Sequence, residues 1–261
     1  MPDAEANRRY AVILPACNEE PCLAAVLAEA RAVLPADQFV LAVGVNGSTD
    51  RTAEIARAAG AFVAETPARG YGYGCQAAIA LLEAEYPPFD GYLFVAADGA
   101  NDPRDIPRLV AEHRRGAAMV LGCRTRTPGN WRRSDYHYVV ANRLLGALCG
   151  LLTGRPFFDL GPLRLIDREL FRALALREWT YGWTIEAQIR AVRLGAVIRE
   201  IPVRERGRLA GEQKVSHVSW RHTLAVGSKI IAAGLRARFA SHAGSARAAE
   251  RPAPLRTVPH G

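Results

Sequence analysis

Two carboxylates, Asp98 and Asp102, stand in FVAADGANDP (94 to 103), where an apolar run gives way to polar residues. Carboxylates at the end of a buried strand can hold a hard divalent cation such as Mn2+ or Mg2+. A cation placed there can bridge a diphosphate that bare Asp would repel. Asp also opens turns, so either residue can instead cap the helix expected after Pro103. Further along, Arg206, Arg208 and Lys214 offer guanidinium forks and an ammonium point charge. Both suit phosphate oxygens, although a solvated basic loop has the same composition. Asn18, Glu19 and Asp50 carry oxygens that can accept from a base and a ribose, and each is also a natural cap or turn residue.

Such groups work together only if the chain brings them to one place. YAVILP (10–15), FVLAVGV (39–45), AFVAE (61–65), GYLFVAAD (91–98) and AAMVLGCR (117–124) are short apolar runs that suit buried strands. Between them lie segments with helical spacing: PCLAAVLAEARAVL, STDRTAEIARAAG, CQAAIALLEAEY and DIPRLVAEHRRG. Ser48 and Thr49 are candidate caps of the second of these helices, which Gly60 closes. Five alternations with short connections predict an α/β fold, a mostly parallel sheet flanked by helices. Ligands of such sheets sit at the carboxyl ends of the strands. ACNEE, NGSTD, ARGYGYG and DGAND all fall there, and four polar loops at one edge outline a single site.

Beyond residue 125 the rhythm changes. RTPGNWRRSDYHY reads as a substrate-facing loop, followed by an apolar helix, a strand in GPLRLI, a helix in TYGWTIEAQIRAVRLG and a strand in AVIREIPVRERG. One domain is expected over 10–240, with a nucleotide-binding half (10–125) and an acceptor and phosphate half (126–240). Residues 1–9 and the Ala-, Pro- and Arg-rich 241–261 are expected to be loose.

The 261 residues carry a formal charge of +8. From Arg204 onward eleven basic residues face three acidic ones, which accounts for the whole excess. Aromatic and basic residues are not interleaved on any nucleic-acid module, so charge alone does not imply that partner. Cys17, Cys22, Cys75, Cys123 and Cys149 show neither zinc spacing nor a CxxC pair and read as reduced core thiols of a cytoplasmic protein. No run of 18 uncharged apolar residues appears, so no spanning helix is expected. TLAVGSKIIAAGLRARF keeps a peripheral membrane contact open. Glycines 70, 72 and 74 in RGYGYG invite a phosphate cradle but form neither GxGxxG nor a P-loop. Trp179, Tyr181 and Trp183 can floor a sugar pocket or simply pack in the core.

Eight strings in order carry a family resemblance: VILPACNEE, VNGSTDRT, RGYGYGCQAAI, FVAADGANDP, FDLGPLRLI, YGWTIEAQIRA, IREIPV and RGRLAGEQKVS. Over residues 10 to 232 the chain resembles family-2 glycosyltransferases of the GT-A fold, notably those that make polyprenyl-phosphate sugars. The resemblance implies a Rossmann-like GT-A domain, a GDP- or UDP-sugar donor, and Mn2+ or Mg2+ as cofactor. It places Pro15, Ala16, Asn18, Glu19, Asn46, Asp50, Gly70 and Gly72 around the nucleotide, with Asp98 on both nucleotide and cation. Arg206, Arg208 and Lys214 are placed on phosphate. It puts Asp159 at the position of an acceptor-deprotonating base, with Glu186 a second candidate. The activity implied is inverting transfer of a hexose to a lipid phosphate or a small acceptor.

The chain departs from that pattern at three positions. Ala96 stands where the family usually has the first Asp of Asp-x-Asp, Ala100 where a Gln ligand is frequent, and Val45 where a carboxylate is common. Asp102, Asn101 or a histidine (His217 or His222) is then expected to help Asp98. The incomplete acidic motif keeps two alternatives open: a nucleotide-sugar mutase needing no acceptor, and a non-catalytic nucleotide-sugar binder.

Overall fold

A computed structural model describes residues 8–132, 136–180, 182–210 and 220–239. Lys214 and His217 therefore lie outside the described residues, as do Tyr181 and the side chain of His222. Seven strands form one mixed sheet in the order β3-β2-β1-β4-β6-β5-β7. They are β1 (Tyr10–Ala16), β2 (Phe39–Asn46), β3 (Phe62–Thr66), β4 (Gly91–Phe94), β5 (Met119–Cys123), β6 (Arg164–Asp167) and β7 (Ile198–Pro202). The pairs β1–β2, β2–β3, β1–β4 and β5–β7 are parallel. Only β6 runs the other way, between β4 and β5. The expected mostly parallel sheet holds, and the six co-directional strands all end at one rim.

The strands are apolar on both faces because helices cover both. Val12, Leu14, Leu41, Val43, Leu93, Val120 and Leu165 pack on one side with α1 (Leu23–Val33), α2 (Thr52–Ala58) and α4 (Ile106–Arg114). On α1 the buried positions 23, 26, 27 and 30 form a single helical stripe. Ala11, Ile13, Ala42, Phe94, Met119, Leu121 and Ile166 face the other side. That side holds α3 (Tyr71–Glu85), α5 (Tyr136–Thr153), α7 (Trp183–Arg193) and α8 (Trp220–Phe239), while α6 (Arg168–Leu174) follows β6 directly.

The structure differs from the sequence expectations in three places. The ladder of β4 stops at Phe94, so Val95 to Asp98 form an irregular approach to the rim rather than more strand. The long connection after β5 is folded into 3-10 turns at Arg124–Arg126 and Pro128–Arg132. Asn130 fastens it, donating to Arg124 O and Val203 O at 2.9 Å each and accepting from Glu205 N–H at 3.0 Å. Finally, RGYGYG is not a loop, because α3 already begins at Tyr71. Its glycines serve close packing: a Cβ on Gly44 would meet Gly74 O at 1.9 Å, and one on Gly72 would meet Trp183 Cδ1 at 2.7 Å.

Candidate active site

The carboxyl ends of β1 and β2 are stitched together by polar side chains. Asn18, at φ +55°, accepts from Thr49 N–H through Oδ1 at 2.7 Å, and its own N–H donates to Ser48 Oγ at 2.9 Å. Ser48 and Thr49 thus bind the neighbouring turn instead of capping α2. Asp50 braces the turn that leads into α2, accepting from Thr52 N–H at 3.0 Å and from Glu20 N–H at 3.1 Å. Burial works against its charge, yet the bonds from Thr52 and Glu20 win and hold the carboxyl below its ordinary range. Asn46 is buried and joins two further segments, donating to Ala16 O at 2.9 Å and accepting from Gly70 N–H at 3.2 Å. Pro15 and Ala16 close β1 beside this junction, and a Cβ on Gly74 would lie 3.1 Å from Pro15 Cβ.

Asp98 sits just past the end of β4. Its Oδ1 accepts from Ala100 N–H at 3.0 Å, which fixes the turn and leaves Oδ2 facing the basic residues beyond β7. There Arg208 Nη1 lies 3.4 Å from Asp98 Oδ2 and 3.3 Å from Glu19 Oε1, while Nη2 donates to Glu19 Oε2. Glu19 is itself buried, with its N–H on Thr52 Oγ1 at 2.8 Å. Cys22, whose thiol donates to Glu19 Oε2 at 3.3 Å, is pushed up to about 12, first by burial and then by that carboxylate. It is an inert core thiol rather than a nucleophile.

Asp102 takes the capping role and leaves the cation set. It is fully buried, accepts from Arg104 N–H at 3.0 Å, and both oxygens take bonds from the Arg104 side chain. Those bonds lower its pKa against the cost of burial. Arg206 also departs from expectation. Its Nη2 donates to Glu29 at 2.7 Å, Asn101 O at 3.1 Å and Gly99 O at 3.2 Å, which ties down the Asp98–Asn101 turn rather than presenting a bare charge.

Glu19 and Asp98 together suit a hard cation. Two carboxylates set about one guanidinium match the preference for hard oxygen ligands of Mg2+ and Mn2+, which keep phosphate and water ligands instead of requiring a full protein cage. Among the described residues no group of three His, Cys, Asp or Glu side chains forms such a cage.

The two carboxylates expected as bases are already engaged. Asp159 is buried and bound two-pronged to Arg124, Nε to Oδ2 at 2.9 Å and Nη2 to Oδ1 at 2.8 Å, with Arg124 N–H on Oδ2 at 2.8 Å. Three of that carboxylate's acceptor sites are taken by Arg124, so its charge is committed to an ion pair rather than poised alone beside an acceptor hydroxyl. Glu186, inside α7, accepts from the N–H groups of Arg177 and Glu178 at 3.0 and 2.8 Å and pairs with Arg190 at 2.8 Å. It shapes the 177–180 loop from behind. That loop brings Trp179 into a stack on Tyr73 at 5.7 Å, whereas Trp183 is core, 1% exposed.

Sequence reasoning passed over Arg124. It ends the fifth strand run, AAMVLGCR, at the same rim as the other polar loops, and that position was the available signal. Its Nη1 also reaches Glu205 at 3.2 Å, so one guanidinium links the 159 turn to the segment that carries Arg208. Among the described residues no helix is long and apolar enough to cross a membrane.

A family model described as Glycosyl transferase family 2 matches residues 11–175. The chain is 32% identical over 219 residues to an uncharacterized glycosyltransferase of Mycobacterium bovis, covering 78% of this chain and 88% of that protein. It is 30% identical over 233 residues to the dolichyl-phosphate hexose transferase of Haloferax volcanii, covering 88% of this chain and 95% of that protein. Among solved structures it matches the glucosyl-3-phosphoglycerate synthase of Mycobacterium tuberculosis, crystallised with Mn2+, uridine diphosphate and glucosyl-3-phosphoglycerate. That match has a TM-score of 0.69 and 26% identity, over 90% of this chain and 81% of that one.

Proposed function

The chain belongs to glycosyl transferase family 2 and is a glycosyltransferase; we propose that it moves a hexose from a nucleotide sugar to the phosphate of a lipid acceptor, with inversion at the anomeric carbon. The observation that carries this is the commitment of Asp159 and Glu186 to ion pairs and backbone N–H groups. An acceptor hydroxyl needs a base to take its proton. An acceptor phosphate is already an anion and needs none. The relative from Haloferax, matched over nearly its whole length, is named a dolichyl-phosphate hexose transferase, which supports a lipid-phosphate reading.

Pro15, Ala16, Asn18, Glu19, Asn46 and Asp50 form the nucleoside side, held rigid by the bonds across β1, β2 and Gly70. Asp98 and Glu19 hold the divalent cation, Mn2+ or Mg2+. When bound, that cation supplies charge neutralisation for the departing nucleoside diphosphate. Gly70 and Gly72, at the start of α3, let the 177–180 loop sit close to the donor side, with Gly72 N–H on Trp179 O at 2.9 Å. Arg208 and Lys214 meet phosphate oxygens, and Arg206 positions the turn on which Asp98 is mounted. In the transfer, an acceptor phosphate oxygen bonds to the anomeric carbon as the bond from that carbon to the β-phosphate oxygen breaks. The electron pair leaves with the nucleoside diphosphate, and no proton has to move. Asp159 acts as a positioning residue that holds Arg124 at the rim.

The test is product analysis with UDP- and GDP-hexoses, Mn2+ or Mg2+, and a short polyprenyl phosphate. A glycosylated lipid phosphate is the expected product. Transfer only to a soluble hydroxyl acceptor, or an isomeric nucleotide sugar formed with no acceptor present, overturns the proposal.

A further inference from the structure

The basic segment beyond β7 and the acidic end of β4 are docked along their length. Leu209 N–H donates to Asp98 O at 3.0 Å, Arg206 N–H donates to Ala100 O at 3.0 Å, and Glu205 pairs with Asn101 in an antiparallel bridge. Leu209 lies on Gly99, where a Cβ would meet Leu209 Cγ at 2.4 Å. This strap delivers Arg208 between Glu19 and Asp98, with its side chain only 9% exposed. The Asp98 oxygen that faces it is Oδ2, because Oδ1 is spent on Ala100 N–H.

We propose that Arg208 is the resident counter-cation of the Glu19–Asp98 pair and exchanges with the divalent cation of the donor, so that donor loading releases the 205–209 strap. The inference rests on Asp98 as cation ligand, the assignment made above. A guanidinium and a divalent ion cannot both stay at contact distance from one carboxylate oxygen without strong mutual repulsion. The pair carries two negative charges, and Arg208 faces both. A third carboxylate two residues before Asp98 would let the rim hold both cations, but Ala96 stands there. Exchange follows: the guanidinium gives up the Asp98 carboxylate, which would then hold the ion, and turns to the arriving diphosphate, which its fork fits. The strap bonds to Asp98 O and Ala100 O loosen with it, because Arg208 is its deepest anchor.

The experiment titrates Mn2+ alone, followed by the electron paramagnetic resonance signal of the free ion, against wild type, R208Q, R208K and D98N. R208Q is expected to bind Mn2+ on the order of tenfold more tightly than wild type, within the usual range for coupled sites. R208K, which keeps the charge, is expected to stay near wild type. Hydrogen exchange gives a second readout, carried by the wild type itself and compared with D98N. Mn2+ with uridine diphosphate is expected to accelerate exchange at the Leu209 and Arg206 amides, and not in D98N. Equal Mn2+ affinity in wild type and R208Q, or slower exchange at those amides on loading, overturns the exchange. Equal Mn2+ affinity in wild type and D98N removes Asp98 as the ligand and overturns the cation assignment together with it.

Discussion

Arg124 and Asp159 face each other through two parallel bonds at 2.9 and 2.8 Å, with side chains 7% and 1% exposed. The pair joins the end of β5 to the turn before β6, and Arg124 extends it to Glu205 on the strap. A buried pair of this kind is weak evidence for stability gained, but breaking it strands a charge. D159A is therefore expected to cost about 3–5 kcal/mol, the usual penalty for one orphaned partner. Urea unfolding measures it. D159N tests the role separately. A positioning residue lowers kcat while leaving the shape of the pH–rate profile unchanged, whereas loss of a base would remove its acidic limb.

Asp98 is expected to behave in the opposite way. Its carboxylate is partly exposed and supports one turn N–H, and Arg208 keeps its bond to Glu19 when Asp98 is lost, so D98A is expected to shift unfolding little. Turnover is expected to fall about a thousandfold, as loss of several kcal/mol of charge stabilisation implies. Mn2+-dependent nucleotide binding, read by calorimetry, is expected to vanish. A variant that keeps metal-dependent binding would move the cation elsewhere on the rim.

Local pattern made the sheet, its common rim and the Asp102 cap readable from sequence, because each depends on neighbours within a few residues. Period and turn chemistry decide such features. What stayed hidden was the choice of partners across the chain. Arg208 reaches back 189 residues to Glu19, and Arg124 reaches 35 residues forward to Asp159. Neither link leaves a local signature, so Arg208 read as a free phosphate binder and Asp159 as a free base. RGYGYG misled for a related reason. Gly74 and Gly72 are placed for contact with Gly44 and Trp183, both distant in sequence, and the helix runs through those two glycines.

That contact gives a stability prediction. A Cβ at Gly44 would lie 1.9 Å from Gly74 O and 2.5 Å from Gly74 C, atoms of backbone that cannot rotate away. G44A must push α3 off β2, and overpacking of this kind costs about 1–3 kcal/mol or more. For a domain of this size each kcal/mol lowers Tm by roughly 2–4 °C. Thermal unfolding followed by circular dichroism is expected to show a drop of several degrees or a failure to fold. G129A, where nothing lies within 4 Å of the added methyl, is the control.

His113 sets a pH dependence that is independent of the active site. It is buried on α4, with Nδ1 3.1 Å from Tyr10 Oη and Nε2 3.1 Å from Asp167 Oδ2. Burial lowers its pKa from 6.5, and the bond to Asp167 recovers only part of the loss. The unfolded chain therefore takes up a proton at higher pH than the folded one. By linkage the stability this histidine leaves intact above about pH 6.5 is lost as pH falls through that value toward the folded pKa. Wild-type Tm is expected to fall between pH 7.5 and 5.5, and H113Q is expected to show a shallower slope whatever its absolute Tm. Equal slopes would assign the acid sensitivity to other groups, since a glutamine cannot take up the proton that the imidazole does.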